Sequence, residues 1–326
     1  MKNIIFLFSL PRSGSTLLQR VLSTHPEIHT LSEPWLLLPL IYQFKENVYT
    51  EYSHRQFTIA LNDILETKLM GNRIYYEKIN KLITELYTEI TPHEAIYFLD
   101  KTPRYSLIAE EIITIFPNAK FIFLWRNPLS IIASIISYWG NGNISTKKWN
   151  WVAIKIDLFK GLKNLINARD LCKTNCVEIK YEELVKFPEL SIKKISEYLE
   201  LGDSFQYNFY NEKPLEGKLG DKSKNQKIKK IRGTSVEKWK TIVNNPTRKH
   251  WCSNYIKWIG KTRLHSIGYD YDKMLTDIAS LDNSFGHITK DLMGYIIGHL
   301  IEIFEIPLFR KKIINILNKK KNYLVQ

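Results

Sequence analysis

Apolar residues along the chain follow two different periods. Four short runs, Ile4 to Ser9, Ile96 to Leu99, Lys120 to Trp125 and Val177 to Tyr181, are rich in β-branched and aromatic residues, which is the pattern of buried strands. Between the first two, apolar positions recur at helical spacing, at Phe57, Leu61 and Ile64 and then at Ile79, Ile83, Leu86 and Ile90, which predicts two helices. Pro128 suits a first helical turn and opens a helix through Tyr138, and another is predicted from about Val152 to Cys172. Pro188 opens a further helix, with Leu190, Ile195, Tyr198 and Leu199 on its apolar stripe and Gly202 at its end, and a helix resumes after Pro246. Buried strands alternating with helices long enough for crossover connections predict an α/β fold, a central parallel sheet flanked by helices.

Two segments depart from this alternation. Residues Asn211 to Gly233 are rich in Lys, Gly, Asp and Asn without periodicity and are expected to form a long loop of the kind that closes over ligands. Gly268 and Tyr269 end the main unit, predicted to span residues 1–272, and residues 273–326 form a C-terminal helical extension. Asp291 to Leu317 is amphipathic and runs into Lys319, Lys320 and Lys321; packing on its own domain is expected, with peripheral membrane contact and self-association as its other uses.

Composition narrows the function classes. The chain has 326 residues, 44% hydrophobic and 25% charged, which is that of an ordinary globular enzyme. Its formal charge of +14 calls for an anionic partner: nucleic acid, an acidic membrane, a nucleotide or a polyanionic acceptor. No nucleic-acid recognition motif accompanies that charge, so no nucleic-acid partner is expected. Cys172, Cys176 and Cys252 lack the spacing of a metal site or disulfide framework and read as reduced packing residues, and no metal is assigned. The apolar run after Lys2 is too short for a secretory core, so a cytoplasmic location is expected.

The chemistry concentrates at strand ends. Ile5 to Leu18 reads as a strand running through the turn Pro11-Arg12-Ser13-Gly14-Ser15-Thr16 into a helix, a geometry that aims backbone N–H groups and a helix N-terminus at one anion. A Walker loop would carry lysine where Ser15 stands, so a triphosphate with Mg²⁺ is poorly served. Arg12 instead offers a planar charged fork, with Ser13, Ser15 and Thr16 as hydroxyl donors. At the end of the third predicted strand, Arg126 and Ser134 stand eight residues apart, a spacing that lets a strand-end arginine and a helix serine converge on one anion.

These two motifs together resemble the sulfotransferase superfamily, closest in pattern to its bacterial and tyrosylprotein branch. The resemblance runs from about Ile4 to Tyr269 and includes Lys180-Tyr181-Glu182-Glu183-Leu184-Val185, Gly220-Asp221-Lys222-Ser223 and Ser235-Val236-Glu237-Lys238-Trp239-Lys240. It implies 3′-phosphoadenosine-5′-phosphosulfate (PAPS) as co-substrate, held at its 5′-phosphosulfate by the Arg12 turn and at its 3′-phosphate by Arg126 and Ser134. Tyr181, Ser223 and Arg232 are implied as further cofactor contacts, and adenosine 3′,5′-bisphosphate as the product. The cytosolic small-molecule branch carries a catalytic histidine after a Lys-Thr pair; here Asp100-Lys101-Thr102 is followed by Pro103, which cannot accept a proton. Glu33, in Ser32-Glu33-Pro34-Trp35, matches instead the glutamate base of the tyrosylprotein branch. Lys101 is then expected to stabilise the departing oxygen with Arg12. The acceptor is a hydroxyl of a carbohydrate, peptide, lipid or small molecule. The rival readings are a phosphotransferase with a degenerate phosphate loop and a non-enzymatic protein binding nucleic acid or anionic lipid through its lysine runs.

Overall fold

The computed structural model describes residues 2–45, 48, 50, 52–68, 71–138, 154–172, 175–202, 204–205, 215–217, 219 and 236–303. Among these, the strands β1 (Asn3–Phe8), β2 (Ile28–Thr30), β3 (Tyr97–Asp100), β4 (Lys120–Trp125) and β5 (Cys176–Lys180) make one sheet in the order β2-β3-β1-β4-β5. All neighbours are parallel, with Phe6 opposite Asp100, Phe8 opposite Phe123 and Trp125 opposite Lys180. Every strand therefore ends at the same edge. Four of these strands match the predicted runs to within a residue or so. β2 escaped prediction because three residues carry no period, and its pairing with β3 alone defines it.

The helices follow in chain order: α1 (Ser15–Leu22), α2 (Leu37–Tyr42), α3 (His54–Thr67), α4 (Arg73–Ile90), α5 (Ala109–Ile115), α6 (Pro128–Tyr138), α7 (Leu162–Leu171), α8 (Tyr181–Lys186), α9 (Pro188–Leu199), α10 (Trp239–Ile242), α11 (Pro246–Ile259), α12 (Lys261–Ser266), α13 (Tyr271–Ser280) and α14 (Ile288–Ile303). A 3-10 turn, Pro103–Leu107, follows β3, and a π-helical turn, Ile156–Gly161, leads into α7.

Alternation along the buried strands divides the core in two. Phe6, Phe8, Phe98, Phe121, Phe123 and Trp125 point to one face, where Phe6 and Phe121 stack at 6.1 Å beneath α5, α6, α7 and α11. Ile5, Leu7, Leu99, Ile122, Leu124, Val177 and Ile179 point to the other, beneath Leu18, Val21 and Leu22 of α1 and Ile192, Ile195 and Leu199 of α9. The aromatic face is the thicker layer and receives Met274 and Ile278 of α13 as well. α14 differs from the expected packing, because Asp291 is buried while Leu292, Met293, Ile296 and Ile297 are exposed. Residues 304–326 lie outside the described residues.

Candidate active site

Each strand delivers one part of the site at its carboxyl end, the edge at which α/β proteins bind ligands. β1 runs into the Arg12 turn, β2 into Glu33, β3 into Lys101, β4 into Arg126 and β5 into Tyr181.

In the first turn the Ser13 N–H donates to the Leu10 carbonyl at 3.3 Å, with Pro11 and Arg12 as the central residues. Arg12 has φ of 68°, which the third position of a type II turn requires and which glycine usually supplies. A non-glycine residue held there costs on the order of 1 kcal/mol, a strain characteristic of functional turns. Gly14, at φ 92°, then caps α1, whose first amides have no carbonyl one turn behind them. A Cβ on Gly14 would stand 2.4 Å from the Tyr181 ring, so the turn and the start of α8 meet only because this residue has no side chain.

The two arginines are neighbours. Arg126 Nη1 donates to the Arg12 carbonyl at 2.7 Å, and its guanidinium lies 4.2 Å above the Tyr181 ring. Arg12 Nε donates to Ser134 Oγ at 3.2 Å, and its guanidinium lies 4.1 Å above the ring of Tyr138. Ser134 thus reaches Arg12 rather than Arg126, while Arg126 touches the backbone of the same residue. Burial pulls the Arg126 pKa below its ordinary value; Tyr181 and Glu182 oppose this, and the nearby Arg12 charge adds to it. Its Nε is buried with no hydrogen-bond partner, an arrangement that an anion would complete.

On the other side of β1, Lys101 Nζ lies 2.9 Å from Glu33 Oε1, with the lysine side chain 1% and the glutamate 13% exposed. Trp35 Nε1 donates to Glu33 Oε2 at 3.1 Å, and the Trp35 N–H donates to Thr102 Oγ1 at 3.4 Å. Beneath them, Asp100 accepts from Tyr87 at 2.5 Å and from Thr102 at 3.1 Å. Burial nevertheless pushes its pKa up to about 6, because the hydroxyl donors and Lys101 offset only part of the desolvation. The Glu33 loop is clamped from two directions. Gln19 Nε2 donates to Thr30 Oγ1 and the Leu31 carbonyl, and Ser32 donates from N to Glu216 O at 2.7 Å and from Oγ to Leu219 O. The described part of the predicted loop thus lies across the segment carrying Glu33. Burial also lowers the pKa of His29, with Glu216 opposing it.

Several supporting residues were given no role by the sequence. Glu182 accepts from the Asn127 N–H and from Tyr269, tying the Arg126 turn to α8 and the end of α12, while Ser130 Oγ donates to Val236 O. Tyr138 and Gln19 owe their roles to contacts between separate elements, which single-sequence patterns do not encode. Ser223 and Arg232 lie outside the described residues.

A profile described as the sulfotransferase family matches residues 4–204, the stretch that holds all five strands and both cationic turns. The chain belongs to the sulfotransferase family. Among its relatives, nodulation protein NoeE of Sinorhizobium fredii (strain NBRC 101917 / NGR234) is 30% identical over 212 residues, covering 59% of this chain and 48% of NoeE. The protein-tyrosine sulfotransferase of Drosophila melanogaster is 27% identical over 253 residues, covering 72% and 46%. The chain spans about half the length of these two curated relatives. A sulfotransferase domain from the curacin biosynthetic pathway has the same fold, with a TM-score of 0.50 and 23% identity over 74% of this chain and 92% of that one.

Proposed function

We propose that this sulfotransferase moves a sulfuryl group from PAPS to an acceptor hydroxyl by direct in-line displacement, with Glu33 as general base. The observation that carries the reading is the adjacency of Arg12 and Arg126 at the strand ends, beside a buried Arg126 Nε with no protein partner. The residues present fit such a nucleotide. Gly14 leaves backbone room at the turn, the Arg12 and Arg126 forks supply charge for a phosphosulfate and a 3′-phosphate, and Ser13, Ser15, Thr16 and Ser134 supply hydroxyls. Tyr181 is proposed as a further contact, supported by the 4.2 Å approach of the Arg126 guanidinium to its ring. Ser223 and Arg232 complete the proposed set from outside the described residues.

PAPS supplies the sulfuryl group on a phosphosulfate whose leaving group is adenosine 3′,5′-bisphosphate. Glu33 takes the acceptor proton as the acceptor O–S bond forms and the bridging S–O bond breaks. Lys101 and Arg12 place positive charge where the departing phosphate oxygen gains its negative charge. Lys101 is already desolvated and held by Glu33, so little reorganisation is needed as charge shifts between the two oxygens. Amine and guanidinium donors serve here in the place that Mg²⁺ fills for phosphoryl transfer.

The acceptor class stays broad in this reading: carbohydrate, peptide tyrosine, lipid or small alcohol. The protein-tyrosine sulfotransferase relatives make a phenolic hydroxyl the first to test. The reaction is placed in the cytoplasm, where free thiols such as Cys172, Cys176 and Cys252 stay reduced. The test is transfer of radiolabelled sulfate from PAPS into a panel of these acceptors. Transfer that disappears in Glu33→Gln, with adenosine 3′,5′-bisphosphate binding retained, supports the reading. A chain that binds neither PAPS nor the bisphosphate overturns it.

A further inference from the structure

The described side chains of α14 point the reverse way to those of a helix packed on its own domain. Asp291 and Gly294 face inward, while Leu292, Met293, Ile296 and Ile297 face solvent, with Met293 64% exposed; Phe285, just before the helix, is 77% exposed. A helix normally turns its apolar stripe to the core. Here a buried ion pair fixes the opposite orientation. Asp291 Oδ2 accepts from Arg248 Nε at 2.7 Å and from Asn245 Nδ2 at 2.6 Å, and both charged side chains are shielded from water. Rotating α14 to bury Leu292 and Ile296 would pull Asp291 off Arg248 and leave two buried charges unpaired, so the apolar face is locked outward.

A contiguous apolar face of this kind marks an interaction surface, and the surrounding charge selects the partner. The chain carries a formal +14, and after α14 the sequence adds Arg310, Lys311, Lys312, Lys319, Lys320 and Lys321 against Glu305 alone. A second copy docking on this face would bring like charge onto like charge. An anionic bilayer surface attracts it, and takes the apolar side chains at its headgroup boundary. Among the described residues, no helix is long and apolar enough to cross a membrane. We propose that α14, lying in the interface plane, docks this protein on an anionic lipid surface that the lysines and arginine of the sequence after it attract. This docking is independent of the reaction assigned to the strand-end site.

Co-sedimentation of the full chain with phosphatidylcholine vesicles, with and without one-third phosphatidylglycerol, tests it. The chain is expected to pellet with the anionic vesicles alone and to release at high salt. Replacing Lys319, Lys320 and Lys321 with Gln weakens partitioning by roughly a hundredfold at low salt, taking the usual contribution of each surface-bound lysine. The quadruple variant Leu292→Ser, Met293→Ser, Ile296→Ser, Ile297→Ser weakens it by about tenfold or more with an unchanged far-UV circular dichroism spectrum. Should that variant fail to fold, the lysine variant and the salt series decide. Equal binding to neutral and anionic vesicles, binding to neither, or a dimer in sedimentation equilibrium that the serine variant dissolves would each overturn the proposal.

Discussion

The two buried ion pairs Arg248–Asp291 and Lys101–Glu33 have surroundings that are built differently. Arg248 and Asp291 form a closed pair. The guanidinium reaches both carboxylate oxygens from Nε and Nη2, Asn245 adds a third donor, and Arg248 Nη1 is taken by the Ile242 carbonyl. Lys101 and Glu33 form a sparser pair. One contact at 2.9 Å joins them, Trp35 holds the other carboxylate oxygen, and the glutamate keeps a window to solvent. A closed pair offsets its desolvation only by satisfying its donors and acceptors with rigid protein groups, and it has little capacity left for a ligand. A pair with spare donors is poorly suited to holding a helix and well suited to exchanging a proton. Both have the same charge and similar burial; the number of additional partners separates a clamp from chemistry.

The largest effect that sharpens this contrast lies at the sparser pair. Glu33→Gln is expected to lower the sulfate transfer rate by about 10²–10⁴-fold, the usual contribution of a general base. Its affinity for adenosine 3′,5′-bisphosphate, measured by isothermal titration calorimetry, should stay near that of the parent. At the closed pair the outcome inverts. Arg248→Met strands a buried carboxylate and should lower the unfolding free energy in urea by about 3–5 kcal/mol, with bisphosphate affinity unchanged. Adding Asp291→Leu to it should recover much of that loss. A closed-pair variant that lost nucleotide affinity without losing stability would break the comparison.

Asp100, beneath Lys101, gives a pH-dependent version of the same test. Its folded pKa is pushed up to about 6 from an ordinary 3.8, so the folded state holds its proton more tightly than the unfolded chain does. The resulting stability is complete below the unfolded value and is lost as pH rises through 6, by about 3 kcal/mol in all. Urea titrations from pH 3.5 to 7.5 should show that decline, and Asp100→Asn should flatten it. The smallest expected effect is at Arg126. Replacement by Ala removes a charge-assisted fork and should weaken bisphosphate binding by about 10–100-fold, and Lys should restore only part of it, since an ammonium cannot reproduce the planar geometry.

The parts of this site legible in the sequence were those whose chemistry is local. Arg12, Gly14 and the hydroxyls beside them sit in one strand-turn-helix junction, and Arg126 and Ser134 in another, so a few adjacent residues carried each signal. Arg126 and Ser134 were expected to converge on one anion, and the fold adds Arg12 between them, since Arg12 Nε donates to Ser134 Oγ and the Arg12 carbonyl accepts from Arg126. Trp35 and Glu182 stand in the quoted runs, but their contacts with Glu33 and with the Asn127 N–H, and Gln19 under the Glu33 loop, come only from the folded chain. No period or spacing marks them.

The amino-acid sequence by itself determined the α/β alternation, the strand cores and the two cationic turns, since burial periodicity and turn stereochemistry act over a few residues. Only the tertiary structure decided that Lys101 meets Glu33, that Gly14 must make room for Tyr181, and that α14 presents its apolar side to solvent. Those outcomes depend on strand order and on the partners that buried charges find across the fold, and such long-range pairing is a property of the assembled chain and of no local segment within it.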